Sequence, residues 1–249
     1  MITIPCDTYQ NITFSHAQIQ GSRHRKNQLP CEDVVLMRDT SDYLFYGLAD
    51  GQSGTRYGAE GGEVCLNAVF DYVALEGIKS VLDTPFPDEL PCAIVKSFRG
   101  KLLPLAQNRS ISLREFASTL LAIIIDRKTG KYMLIHLGDG YAISIPSTGE
   151  STVISAPDSG LSVYHTWLTT SDNAVSHLHV SFGSLDNRKR ILMITDGATC
   201  FCRNGDIPWR TKDLLKNSTQ QELCEYLMLS EPIDDATCIV LDFVDGKSL

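Results

Sequence analysis

Phe116 to Asp139 read FASTLLAIIIDRKTGKYMLIHLGD. Two apolar runs of strand length, FASTLLAIIID (116–126) and KYMLIHLGD (131–139), flank the short polar link DRKTGKY, which contains Gly130. Runs rich in β-branched and aromatic residues and bounded by turn chemistry read as strands. A connection this short between two of them predicts an antiparallel hairpin. Further runs of the same kind are VVLM (34–37), YLFYGLAD (43–50), ILMITD (191–196) and TCIVLDF (237–243).

Two longer segments carry helical spacing instead. In the first, Cys65, Val69 and Tyr72 recur on one face, widened by Leu66 and Val73, after a glycine-rich opening that weakens its first turns. In the second, Leu90, Ile94, Phe98, Leu102 and Leu105 fall in register, with Asp88 as the expected N-cap, Pro91 in the first turn, and Gly100 and Pro104 loosening the end. A shorter amphipathic piece, QQELCEYLML (220–229), precedes the last strand. Strands, a helical pair, strands, a short helix and a strand do not alternate as a doubly wound fold does. The order predicts an α+β chain of two packed antiparallel β-sheets flanked by helices, an α-β-β-α sandwich, formed as a single domain over residues 1–249.

The totals exclude several classes. Hydrophobic residues make up 43% of the 249 and charged residues 21%, an ordinary globular balance. A formal charge of −8 argues against a nucleic-acid-binding face, which would require basic patches. No run approaches the apolar length of a membrane helix. MITIPCDTYQNITF lacks the basic start and apolar core of a signal peptide. Eight cysteines without a CxxC pair then read as reduced thiols, and the expected location is cytoplasmic. Cys200 and Cys202 in TCFC are read as small hydrophobes at a strand end or loop.

Four apolar strands end on acids: Asp50-Gly51, Asp139-Gly140, Asp196-Gly197, and Asp234-Asp235 before ATCIVLDF. Glu32-Asp33 precedes VVLM. Neighbouring strands lie only about 4.8 Å apart, so carboxylates at their ends can converge. Ionised carboxylates crowd together only with counter-charge. Hard cations such as Mg²⁺ and Mn²⁺ supply it and prefer oxygen ligands. Asp-Gly is also a common turn dipeptide, and at any one position the turn is the simpler reading. The recurrence at strand ends favours the cation.

PCEDVVL, FYGLADGQSG, FASTLLAIII with YMLIHLGDGYAISI, ILMITDGA and DDATCIVLDF resemble, in order, the motifs of the metal-dependent protein phosphatases of type 2C, most of all the compact bacterial branch. The motifs span nearly the whole chain. The resemblance implies a metal-dependent hydrolase of phosphoserine and phosphothreonine in proteins, using two, or three, Mg²⁺ or Mn²⁺ ions. It implies that Asp50 bridges two metals and that the Gly51 carbonyl touches one. Asp196 and Asp234 would complete the inner ligands, Glu32 and Asp33 would hold metal-bound waters, and Asp139 would support a third ion. The phosphate-gripping arginine would be Arg23, with Arg25 as competitor. The implied partners are a phosphorylated protein and a cognate serine/threonine kinase, with no nucleic acid or membrane, and the chain would act as a monomer.

The chain departs from that pattern at several points. Gln52 stands where well-known members carry a histidine that protonates the leaving group, and an amide has no useful acidity. A metal-bound water or His24 is the alternative acid. Asp235 replaces the usual asparagine of the last motif and would add a ligand. The stretch between Asp139 and Asp196 is short for the family, which implies a reduced or absent substrate flap. These departures support a rival reading, a pseudophosphatase that binds a phosphoprotein without turnover. GQSGT (51–55) does not complete a serine-hydrolase elbow, because position 55 is Thr. His177 and His179 read as strand residues sharing a face, and His136 as a core histidine.

Overall fold

The computed structural model of the chain describes residues 2–3, 12–158 and 166–243. The element order is β1 (Ile2–Thr3), β2 (Ile12–Ile19), α1 (Ser22–Asn27), β3 (Asp33–Asp39), β4 (Tyr43–Asp50), α2 (Gly58–Glu76), α3 (Ile78–Leu82) and α4 (Leu90–Arg109). There follow β5 (Leu120–Asp126), β6 (Lys131–Leu137), β7 (Tyr141–Pro146), β8 (Thr152–Ser155), α5 (Ala174–His177), β9 (His179–Ser184), β10 (Arg188–Ile194), α6 (Trp209–Asn217), α7 (Gln220–Leu229) and β11 (Ala236–Phe243). Two compact units result, one from Met1–Cys31, Gly140–Pro157 and Leu185–Leu249, the other from Glu32–Asp139 and Asp158–Ser184. The two expected antiparallel sheets with flanking helices are present, one sheet in each unit.

The Glu32–Asp139 unit holds a sheet in the order β3-β4-β5-β6-β9. The hairpin read from DRKTGKY joins β5 and β6 antiparallel, with Leu120 opposite Leu137. All seven residues of β5 are buried, which explains a continuous rather than alternating apolar run. Leu120, Ala122 and Ile124 on one face pack with Cys65, Leu66 and Val69 of α2 and Ile94, Phe98 and Leu102 of α4. The helical stripes read from the sequence are therefore the core-facing ones. Three details differ. Leu113–Phe116 forms a 3₁₀ turn, with Arg114 N donating to Ser112 Oγ, so the strand begins only at Leu120. Asp88 is not the N-cap of α4: Pro87–Glu89 closes its own 3₁₀ turn and the helix starts at Leu90 without a side-chain cap. The helix also runs through Gly100 and Pro104 to Arg109.

The other unit holds a sheet in the order β1-β2-β11-β10-β7-β8. Leu215 of α6 and Leu223 and Leu227 of α7 cover one of its faces, packing on Ala17, Ile143, Leu192, Cys238 and Val240. The helix at QQELCEYLML carries a full capping box, Thr219 and Glu222 each bonding the other's backbone. Cys200 and Cys202 lie in the turn after β10, as free thiols. Among the described residues no helix is long and apolar enough to cross a membrane. The signal-peptide reading rests largely on residues 1 and 4–11, and the flap reading in part on 159–165; both stretches lie outside the described residues.

Candidate functional site

In the Glu32–Asp139 unit the acids gather at one end of the sheet. Asp33 opens β3 and Asp50 closes β4, and the two are direct partners in the antiparallel register. Opposed residues of a ladder share a face with Cβ atoms about 5 Å apart, so two carboxylates stand side by side. Asp33 is buried. The main chain at Asp50 is fixed from both directions: its N–H donates to Thr119 Oγ1 at 2.8 Å and its carbonyl accepts from Thr119 N at 2.8 Å. Gly51 N donates to the Glu32 carbonyl at 3.1 Å. A Cβ at Gly51 would stand 2.6 Å from Ala59 N and 2.7 Å from the Gly58 carbonyl carbon, so only glycine lets the helix start approach here. Beyond it Gln52 N donates to the Ala117 carbonyl at 2.9 Å.

Asp139 follows β6 after Gly138, whose φ of +131° is open to glycine and where a Cβ would stand 2.6 Å from the Thr119 Cβ. Thr166 Oγ1 donates to Asp139 Oδ2 at 2.5 Å. Carboxylate oxygens of Asp50 and Asp139 lie within 4.8 Å of each other. Thr119 and Thr166 are positioning residues that the sequence reading passed over. The available signal was a pair of hydroxyls flanking apolar runs, which is too common to single out.

In the other unit Asp196 opens the 3₁₀ turn Asp196–Ala198, just past β10. Thr195 and Thr237 lock that turn to β11: Thr195 N donates to the Thr237 carbonyl at 3.0 Å, and Thr237 N donates to Thr195 Oγ1 at 2.9 Å. A Cβ at Gly197 would stand 2.0 Å from the Asp235 carbonyl oxygen, so the Asp-Gly pair is fixed here by close packing as well as by its turn. Asp196 and Asp234 line one cleft of about 480 Å³, together with Arg203, Ser230 and Ile233.

Arg23 places Nη2 at 2.9 and 2.7 Å from the two Asp234 oxygens. Arg25 instead donates to the Gln20 carbonyl. Of the two candidate arginines, Arg23 is therefore the one beside a predicted ligand. Asp235 and His24 depart from expectation. Asp235 is buried and accepts from Gly21 N and His24 Nδ1, each at 2.7 Å. Its carboxylate anchors the turn before α1 rather than extending the set that lines the cleft. His24 is only 3% exposed and held in that bond, so it is not placed to protonate a leaving group.

His136, His177 and His179 are drawn together elsewhere in the Glu32–Asp139 unit. His177 closes α5 and His179 opens β9, so they do not share a strand. His177 Nδ1 lies 2.5 Å and His179 Nε2 3.3 Å from Asp158 Oδ2, and the hydrogen bond from His177 is the main reason the Asp158 carboxyl sits below its usual range. Trp167 stacks on His177 at 3.7 Å. His136, opposite His179 in the ladder, is buried; burial first, and the His179 charge second, push its pKa down to about 4.

Comparison with known proteins bears on the whole chain. A family model described as Protein phosphatase 2C matches residues 20–231. Serine/threonine-protein phosphatase 3 of Escherichia coli (strain K12) is 26% identical over 189 residues, covering 73% of this chain and 72% of that protein. Among solved structures, the serine/threonine phosphatase Stp1 from Staphylococcus aureus aligns with a TM-score of 0.72 at 16% identity, over 98% of each chain. The catalytic domain of the serine threonine protein phosphatase PstP, in complex with two manganese ions, aligns with a TM-score of 0.62 at 19% identity, covering 94% of this chain and 99% of that one. At such identities the solved structures speak for the fold.

Proposed function

This chain belongs to the protein phosphatase 2C family, and from that membership we propose that it hydrolyses phosphoserine and phosphothreonine in proteins with the aid of two divalent cations, Mg²⁺ or Mn²⁺. The observation that carries the reading is the juxtaposition of Asp33 and Asp50 across the β3–β4 ladder with an Asp139 oxygen within 4.8 Å of Asp50. An all-oxygen, anionic set of this kind fits a hard cation and little else. The PstP relative, crystallised with two manganese ions, supports the same metal chemistry.

In this reading Asp50, the Gly51 carbonyl, Asp196 and Asp234 hold the pair of ions, Glu32 and Asp33 bind through water, and Asp139 serves a third. Bound divalent ions supply a hydroxide nucleophile near neutral pH and offset charge on phosphoryl oxygens. Thr119 fixes the Asp50 main chain, so the carboxylate is oriented before any ligand arrives. In this reading Arg23, whose Nη2 contacts both Asp234 oxygens, takes phosphoryl oxygens, a role suited to a planar guanidinium. Gln52 donates a hydrogen bond but no proton, and His24 is sequestered against Asp235. A substrate that needs little help at its leaving oxygen is therefore favoured: a phenyl phosphate turns over with a higher kcat than an alkyl phosphopeptide. Equal kcat values would sink that part of the mechanism.

The test of the function is hydrolysis of p-nitrophenyl phosphate by the purified protein with Mn²⁺, Mg²⁺ or EDTA, beside Asp50→Asn. Metal-dependent turnover lost in the variant is the expected result. A folded protein that turns over nothing with either metal, yet binds it, belongs to the rival class of phosphoprotein-binding modules.

A further inference from the structure

The unit that carries α7 and β11 contains a thiol pair for which hydrolysis has no use. Ala17 lies opposite Cys238 and Ser15 opposite Val240 in the β2–β11 register, so Ser15, Ala17, Cys238 and Val240 project from one face of the sheet. Leu223 and Leu227 of α7 cover that face. Between them on the helix, Cys224 brings its Sγ to 3.8 Å from Ser15 Oγ, over the face from which Cys238 projects one residue pair away in the register. The alanine at position 17 leaves the room. Cys238 is fully buried, whereas Cys224 is half-buried at the helix flank.

We propose that Cys224 and Cys238 form a redox-active dithiol that a peroxide closes to a disulfide. In the first step the Cys224 sulfur attacks one oxygen of hydrogen peroxide, the O–O bond breaks, and sulfenic acid and hydroxide form. In the second the Cys238 sulfur attacks the sulfenic sulfur; the S–S bond forms and the S–O bond breaks, with the thiol proton leaving in water. Two thiols are oxidised by two electrons and one peroxide is reduced to two waters.

The surroundings favour this order of attack. The hydrogen bond with Cys238 is the largest influence on Cys224 and brings its pKa down to about 7, with Ser15 adding a smaller lowering against burial. The same contact, with burial, holds Cys238 well above the usual thiol range. An accessible thiolate beside a protonated resolving partner is the arrangement that redox-sensing cysteines require. Three buried or half-buried thiols lack it: burial raises Cys65 to about 12 and Cys202 to about 11, and pushes Cys200 up as well. The bond would also tie together the two ends of the segment from Ser230 to Asp235, which lines the cleft and carries Asp234.

The experiment treats the full chain with one equivalent of hydrogen peroxide and maps it without reduction after digestion by Glu-C, which cleaves after Glu225, between the two cysteines. The expected result is a peptide containing Cys224 joined to one containing Cys238, with two of the eight thiols lost to a thiol reagent. In Cys238→Ala, Cys224 is expected to persist as a sulfenic acid captured by dimedone, and Cys224→Ser is expected to lose none of the other thiols to one equivalent. Oxidation first at exposed Cys92, or passage of Cys224 in the unsubstituted chain to sulfinic acid without a cross-link, overturns the proposal. The measurement on the unsubstituted chain requires no variant to fold and does not depend on phosphatase activity.

Discussion

Asp235 shows how one carboxylate can be withdrawn from a cluster of apparent ligands. Its neighbours Gly21 and His24 both donate to it from a turn that precedes it by more than two hundred residues, and all three residues are buried. Removing one partner of a buried, hydrogen-bonded pair leaves the other unsatisfied, at a cost of about 3–5 kcal/mol. Asp235→Ala is therefore expected to lower unfolding stability by that amount in urea titrations. Asp235→Asn keeps an acceptor for Gly21 N and is expected to cost roughly half as much, within the range for loss of one charge-assisted bond. If Asp235→Ala proves as stable as the parent but loses metal affinity, the carboxylate is a ligand after all. His136 supports a second prediction at this scale. Its pKa is about 4 in the fold against 6.5 for a free imidazole, so between those values the unfolded chain takes up a proton that the folded chain refuses. Stability is then fully present above pH 6.5 and is lost as pH falls toward 4, by about 3 kcal/mol from this group. The stability difference between the parent and His136→Gln, followed by urea unfolding across that window, is expected to shrink accordingly. A constant difference would contradict the assignment.

Among the elements, α2 and α4 each contain glycine for opposite reasons. A Cβ at Gly61 of α2 would stand 1.9 Å from the Phe116 carbonyl oxygen, while at Gly100 of α4 it would meet nothing within 4 Å. Gly61→Ala is expected to destabilise by about 1–3 kcal/mol despite the better helix propensity of alanine, because backbone must move to admit it. Gly100→Ala is expected to stabilise by about 0.5–1 kcal/mol. Urea unfolding of the two variants side by side checks both signs, and stabilisation by Gly61→Ala would show that α2 can shift on its bed. The same contrast marks what was legible in the sequence. β4, the β5–β6 hairpin, β11 and α7 were readable because their apolar residues are continuous or periodic. β2 was not: its ITFSHAQI mixes histidine and glutamine into the strand and exposes two of its residues. Nor was α6, in which only Thr211 and Leu215 are buried, leaving almost no stripe to detect. For the site, Asp-Gly at strand ends was a readable signal. The capture of His24 by Asp235 was not, since no local pattern announces a bond between residues 211 positions apart.

For the molecule as a whole, the acids proposed to hold the cations work against stability. The chain carries a formal charge of −8, and Asp33 and Asp50 face each other directly across a ladder, where like charges are destabilising. A cation that binds only the folded state reverses this, adding about 2.7 kcal/mol when its concentration is a hundredfold above Kd. In a chain of this size that corresponds to a rise in Tm of roughly 5–10 °C. Two opposite effects are therefore expected from Asp50→Asn. In EDTA the variant is more stable than the parent by about 0.2–1 kcal/mol, because one of the facing charges is gone. In Mn²⁺ it is the less stable, because the parent gains from the ion and the variant does not. Thermal unfolding of both proteins, with Mn²⁺ and with EDTA, reads the crossing directly. A variant less stable in both conditions would mean that Asp50 contributes to the fold through its own bonds. A variant that keeps the full Mn²⁺ gain would mean that the ion is held elsewhere.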